Sequence, residues 1–175
     1  FFSDFSISST GSSEGLTPQH PLWYMSPLHR CAALGDISAF EECDASGEEI
    51  SIDSQQHLLT KTPLHLALER GRSEVLEVII SKYQGTPQLT RALFTRDAVG
   101  NNPVHSLLQE IDYVARKFMS SDDLVKVLRE VVKITPPEVL DEHGAKHLST
   151  FDCARASRVK EVKAIFNDLV FVALE

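Results

Sequence analysis

Apolar residues recur at helical spacing along most of the chain. Val75, Leu76, Ile79 and Ile80 form one stripe, Leu124, Val127, Leu128 and Val131 a second, and Val162, Ile165, Phe166 and Leu169 a third. Each stripe covers one side of a helix and needs a neighbour to bury it. Start signals mark a shorter helix ahead of each. Ser26, Thr62, Asn102 and Ser149 are residue types that cap helix N-termini. Pro27, Pro63 and Pro103 follow at the first helical position, where a missing N–H costs nothing. Ser149 with Asp152 makes a capping-box-like pair in place of the absent proline. Gly35 and Gly71 supply the left-handed residue that stops the first helix of a pair. The pattern predicts an all-α fold built from paired helices.

Irregularities refine the expectation. Ile111 stands where a third stop glycine belongs, and Ile111, Val114 and Phe118 continue the stripe, so that helix is expected to run to about Met119. Ser120 with Asp123 restarts the chain as a capped helix, and Pro136-Pro137 ends it. Arg158 occupies the fourth glycine position, which predicts a frayed or altered turn. Residues 44–61 form an enlarged linker, and the 83–97 connection carries its own helical turn at Gln88–Phe94.

The start signals belong to a longer self-similarity. Ser26-Pro27-Leu28-His29 is followed by Thr62-Pro63-Leu64-His65-Leu66-Ala67, then by Asn102-Pro103-Val104-His105, and last by Ser149-Thr150-Phe151-Asp152. Asp97-x-x-Gly100-x-Asn102 adds a hairpin signal before the third copy. This pattern resembles the ankyrin repeat, with its T-P-L-H-x-A signature. The second copy matches throughout, with Gly71, Glu74-Val75 and Ile79-Ile80 in place, whereas the fourth keeps mainly the spacing. The resemblance implies an ankyrin-repeat solenoid of about four helix-turn-helix repeats with hairpin loops, at roughly 21–45, 57–83, 97–133 and 141–169. The domain would span 21–175, behind a Ser/Phe-rich arm at 1–20. In that arm Thr10–Gly15 reads as a flexible linker, while Phe1, Phe2, Phe5 and Ile7 are apolar enough to dock on the body or on a partner. The chain opens without Met, which suggests an excised domain.

Composition narrows the chemistry. The chain has 175 residues and a net charge of −8. Residues 1–60 hold nine acids against Arg30 alone, and the remainder is balanced, so the whole excess lies at one end. An acidic chain argues against nucleic-acid binding, although Arg155, Arg158, Lys160 and Lys163 make a basic cluster worth testing. The longest apolar run, Leu169–Leu174, is far short of a membrane span, and no secretion signal opens the chain. An intracellular protein, cytoplasmic or nuclear, is expected. Cys31, Cys43 and Cys153 are too sparse for a disulfide framework or zinc site. Cys31 and Cys153 fall at small-residue core positions. His143-x-x-x-His147 has a zinc-pair spacing but includes Gly144 and falls in a hairpin, so no metal is expected. No phosphate-loop, dinucleotide-binding or nucleophile-elbow motif occurs. No enzyme and no cofactor is expected.

The resemblance assigns the rest. It makes His29, His65 and His105 structural, each tying its helix start to an adjacent loop. It implies a non-catalytic module that binds a partner protein or peptide through the concave face and hairpin tips. The alternative is a regulatory or substrate-recruiting domain of a larger enzyme. The contact positions carry over to Trp23, Met25, Ala33 and Leu34 in the first repeat. In the second they fall on Leu58, Leu59, Lys61, Glu69 and Arg70, and in the third on Ala98, Val99, Asn101, Gln109 and Glu110. Trp23, Met25, Leu34, Leu58 and Leu59 would form an apolar patch, although Trp23 and Leu22 can equally cap the end of the first repeat. Glu41, Glu42, Asp44, Glu48, Glu49 and Asp53 form an acidic patch, either a solvated face or a site for a basic partner segment.

Overall fold

The capping residues start helices where the sequence placed them. The computed structural model describes residues 25–45, 52–55, 60–117 and 120–172. The first pair is α1 (Pro27–Leu34) and α2 (Ile37–Ala45), and the second is α3 (Pro63–Glu69) and α4 (Ser73–Tyr83). A short α5 (Pro87–Phe94) follows, close to the expected turn. The third pair is α6 (Pro103–Lys117) and α7 (Ser121–Ile134), then comes α8 (Pro137–Asp141), and the last pair is α9 (Thr150–Ala156) and α10 (Lys160–Val172). The fold is all-α. Among the described residues the one β contact is an isolated antiparallel bridge between His143 and Ser149.

Hydrogen bonds account for the helix starts. Ser26 Oγ accepts from the His29 amide, Thr62 Oγ1 from His65, Asn102 Oδ1 from His105, Ser120 Oγ from Asp123 and Ser149 Oγ from Asp152. Ser149 and Asp152 close a full capping box. Gly35 ends α1 at φ +84°, a conformation a side chain would strain, and a Cβ there would lie 3.0 Å from Arg72 Cδ. Arg72 Nε donates to the Ala33 carbonyl at 3.1 Å, so the second pair's turn is bolted to the end of α1.

The helices pack in chain order. α1 touches α3, α3 touches α6, and α6 touches α9, making one row; α2, α4, α7 and α10 make another. Leu64, Ala67 and Leu68 of α3, Val75, Leu76 and Ile79 of α4, Val104 and Leu107 of α6, and Leu124 and Leu128 of α7 belong to one continuous core. Ile165 and Phe166 extend it at the far end, with the Phe166 ring edge-on to Phe151 at 5.5 Å.

Three features go beyond the sequence expectation. Pro136-Pro137 does stop α7, but Pro137 then opens α8, whose Val139 and Leu140 are buried. Their carbonyls accept from Asn102 Nδ2 and Thr150 Oγ1, which ties α8 to the cap of the third pair and to the first residue of α9. Of the two expectations for the turn around Arg158, the altered turn is the one found: the cap Ser157 is extended instead of left-handed, and Asp112 Oδ1 accepts from both the Ser157 hydroxyl and the Arg158 amide at 3.1 Å. The enlarged linker is anchored as well. Ile52 is fully buried in the core, and Asp53 pairs with Arg91 of α5.

Candidate protein-interaction surface

Three buried histidines connect successive helix pairs. His29 Nε2 lies 3.0 Å from the carbonyls of Ser54 and Lys61, His65 Nε2 3.1 Å from that of Asn101, and His105 Nε2 3.1 Å from that of Leu148. A carbonyl can only accept, so each Nε2 carries the proton and donates. Nδ1 is then the acceptor, and at His65 it takes the Thr62 hydroxyl at 2.9 Å and the Thr62 amide at 3.3 Å. Burial lowers the pKa of all three, that of His65 to about 4, which holds them neutral in the folded chain. At His105 the pattern loses one bond. Asn102 presents its oxygen to the amide and its nitrogen to Val139, and buried His105 Nδ1 has no hydrogen-bond partner.

A second set of positions recurs beside this ladder. The residue before each cap faces the residue eight later on the first helix. Lys61 and Glu69 form an ion pair at 2.6 Å. Asn101 and Gln109 exchange two amide hydrogen bonds, at 3.3 and 3.1 Å, while Asn101 Oδ1 also takes the Ala145 amide. Met25 packs on the small cluster of Ala33, Leu34 and Leu66. In the last pair the corresponding residues are Leu148, 38% exposed, and exposed Ala156.

These placements revise the expected contact set. Leu34 is 4% exposed and enclosed between Met25 and Leu66, so it is a packing residue and not part of an open patch. Asn101 is buried and committed to Gln109 and Ala145, and Lys61 and Glu69 neutralise each other. Arg70 is half-buried at the end of α3. Ala98, Gln109 and Glu110 are exposed, and Val99 is 62% exposed. Trp23, Leu58 and Leu59 lie outside the described residues, as do Glu48 and Glu49. The acidic patch is smaller than its residue count. The Asp44 side chain is 3% exposed and accepts from Lys82 Nζ and the Tyr83 hydroxyl, and Asp53 is paired with Arg91. Glu41 and Glu42 are exposed.

On the solvent-facing side of the long α6 the sequence reading stopped at Gln109 and Glu110 and missed Tyr113 and Lys117. Tyr113 is 39% exposed there, with Lys117 Nζ 5.3 Å from its ring centre. The signal was available, since residues 109, 113 and 117 fall one helical turn apart opposite the buried stripe. Chemistry elsewhere is muted. Cys31 and Cys153 are buried, and burial raises both thiols, Cys31 to about 12 beside Cys43. Among the described residues no group of three or more His, Cys, Asp or Glu could hold a metal ion. No helix among them is long and apolar enough to cross a membrane.

No protein-family model matches the chain, and no curated protein sequence is significantly similar to it.

Proposed function

We propose that the chain is an ankyrin-type solenoid of about four repeats that acts as a non-catalytic protein-interaction module. The observation that carries this reading is the histidine ladder. A histidine three residues after each of three caps donates to the loop that precedes the next helix pair. Such bonds couple each unit to its neighbour, and the helices touch in chain order as a linear stack requires. A stack of this kind has a repeating face in which structural positions stay fixed while neighbouring ones vary. That is the variation found across Met25, Lys61, Asn101 and Leu148. A face of this sort recognises a partner by shape and charge.

The test is affinity capture from the cells of origin. The baits are the wild-type chain, a Val99→Asp/Glu110→Arg variant of the exposed face, and a Glu130→Arg control on the outer helix α7. The reading expects a partner held by wild type and control and lost from the double variant, with all three equally helical by circular dichroism. Retention of every captured protein by the double variant contradicts it.

A further inference from the structure

The repeated pair of positions closes on itself in three units and stays open in the fourth. Met25 is packed, Lys61 is neutralised by Glu69, and Asn101 is satisfied by Gln109, so none of these presents an unmet contact. Leu148 and Ala156 instead leave apolar surface in solvent. Asp112 joins α6 to the end of α9, and its neighbour in sequence, Tyr113, adds a half-open aromatic ring. Such a ring is a favoured anchor at interfaces.

The charges around this apolar group have one predominant sign. Lys117, Lys146, Arg155 and Arg158 are exposed, and none of them is in an ion pair among the described residues. Most carboxylates on the same elements are already engaged. Asp112 holds Ser157 and the Arg158 amide, Asp152 closes the capping box, and Glu142 pairs with Arg96. Glu110, Glu138 and Asp141 are the exposed acids that remain on these elements. At the opposite end of the chain, Asp44 and Asp53 are cancelled by Lys82 and Arg91. Around Leu148 and Ala156 the unmatched charge is thus mainly cationic, whereas near the other end Glu41 and Glu42 stay exposed.

We propose that Tyr113, Leu148 and Ala156, flanked by Lys146, Arg155 and Arg158, dock an acidic peptide segment carrying an apolar anchor residue. This rests on the interaction-module reading and names the partner's chemistry. The anchor covers Leu148 and Ala156, while carboxylates beside it meet the arginines and speed encounter.

The experiment is fluorescence anisotropy on the full chain. The probe is a labelled peptide of Glu and Asp residues around two central leucines; the controls are the same peptide with Lys in place of the acids, duplex DNA, and phosphatidylserine vesicles. The acidic peptide should bind, and Arg155→Glu/Arg158→Glu should weaken it by about tenfold or more. Leu148→Ser should weaken it severalfold, added salt should weaken it further, and Glu41→Lys/Glu42→Lys should leave it unchanged. Both substituted arginines are exposed, so the variant should keep its wild-type circular dichroism. Failure of the acidic peptide to bind, insensitivity to the arginine change, or tighter binding of DNA or vesicles overturns the proposal. Binding of the lysine peptide that depends on Glu41 and Glu42 also overturns it while leaving the interaction module standing. If the cellular capture fails too, the module reading falls with it.

Discussion

Acidification should loosen this fold through its buried histidines. His65 has a folded pKa of about 4, against about 6.5 in an unfolded chain. The unfolded state therefore binds the proton more readily. The stabilisation is fully present above about pH 6.5 and is lost progressively as the pH falls toward 4. At about pH 5 the lost part from His65 alone is roughly 2 kcal/mol, a large share of a domain's usual margin. Geometry gives the same sign. A proton on Nδ1 would point at the Thr62 amide, which cannot turn away, while Nε2–H stays fixed on Asn101. His29 and His105, both lowered by burial, add losses in the same direction. The assay is urea denaturation of wild type and His65→Gln at about pH 7.5 and about pH 5, with the free energy extrapolated to water. His65→Gln should be less stable at the higher pH by about 1–3 kcal/mol, since its buried partners lose good geometry. It should nevertheless lose about 2 kcal/mol less than wild type on acidification. Equal losses in the two proteins would refute the reasoning.

Other substitutions test separate joints. Gly144→Ala places a Cβ 2.6 Å from Asn101 Oδ1 and 2.9 Å from His105 Cδ2, and should cost about 1–3 kcal/mol in thermal denaturation. Tyr83→Phe removes the hydroxyl held by buried Asp44 between α2 and α4, at a cost of about 1 kcal/mol by urea titration. Leu34→Glu should destabilise the chain by several kcal/mol, visible as a lowered midpoint, because the carboxylate would enter the Met25–Leu66 contact. Ile52→Ala, in the enlarged linker, should cost about 2–4 kcal/mol by the same measurement even though it sits in no helix.

The helix framework was legible because its signals are local. A cap, a proline and a stop glycine act within one turn, so Ser26, Pro27 and Gly35 delimit α1 without reference to the rest of the chain. The length of α6 followed from Ile111 and Val114 continuing its stripe where a glycine was missing. Pro137 misled because a proline that ends one helix is equally suited to begin the next, and only the burial of Val139 and Leu140 decides between them. The surface was harder to read because it depends on distant partners. Asp44 counts as an acid in sequence, yet Lys82 and Tyr83 on another helix consume it. Leu34 sits at a position that can face solvent and is closed over by Met25 and Leu66. Asp112, which secures the Arg158 turn, carries no sequence mark of that role.

The central claim, a stack of units coupled each to the next, is tested most directly by native-state hydrogen exchange on His105→Ala. That change removes the bond to the Leu148 carbonyl and with it one link between the third and fourth helix pairs. Amides of α9 and α10 should lose protection strongly while those of α1 to α4 keep most of theirs. A uniform loss of protection across all helices would contradict the account.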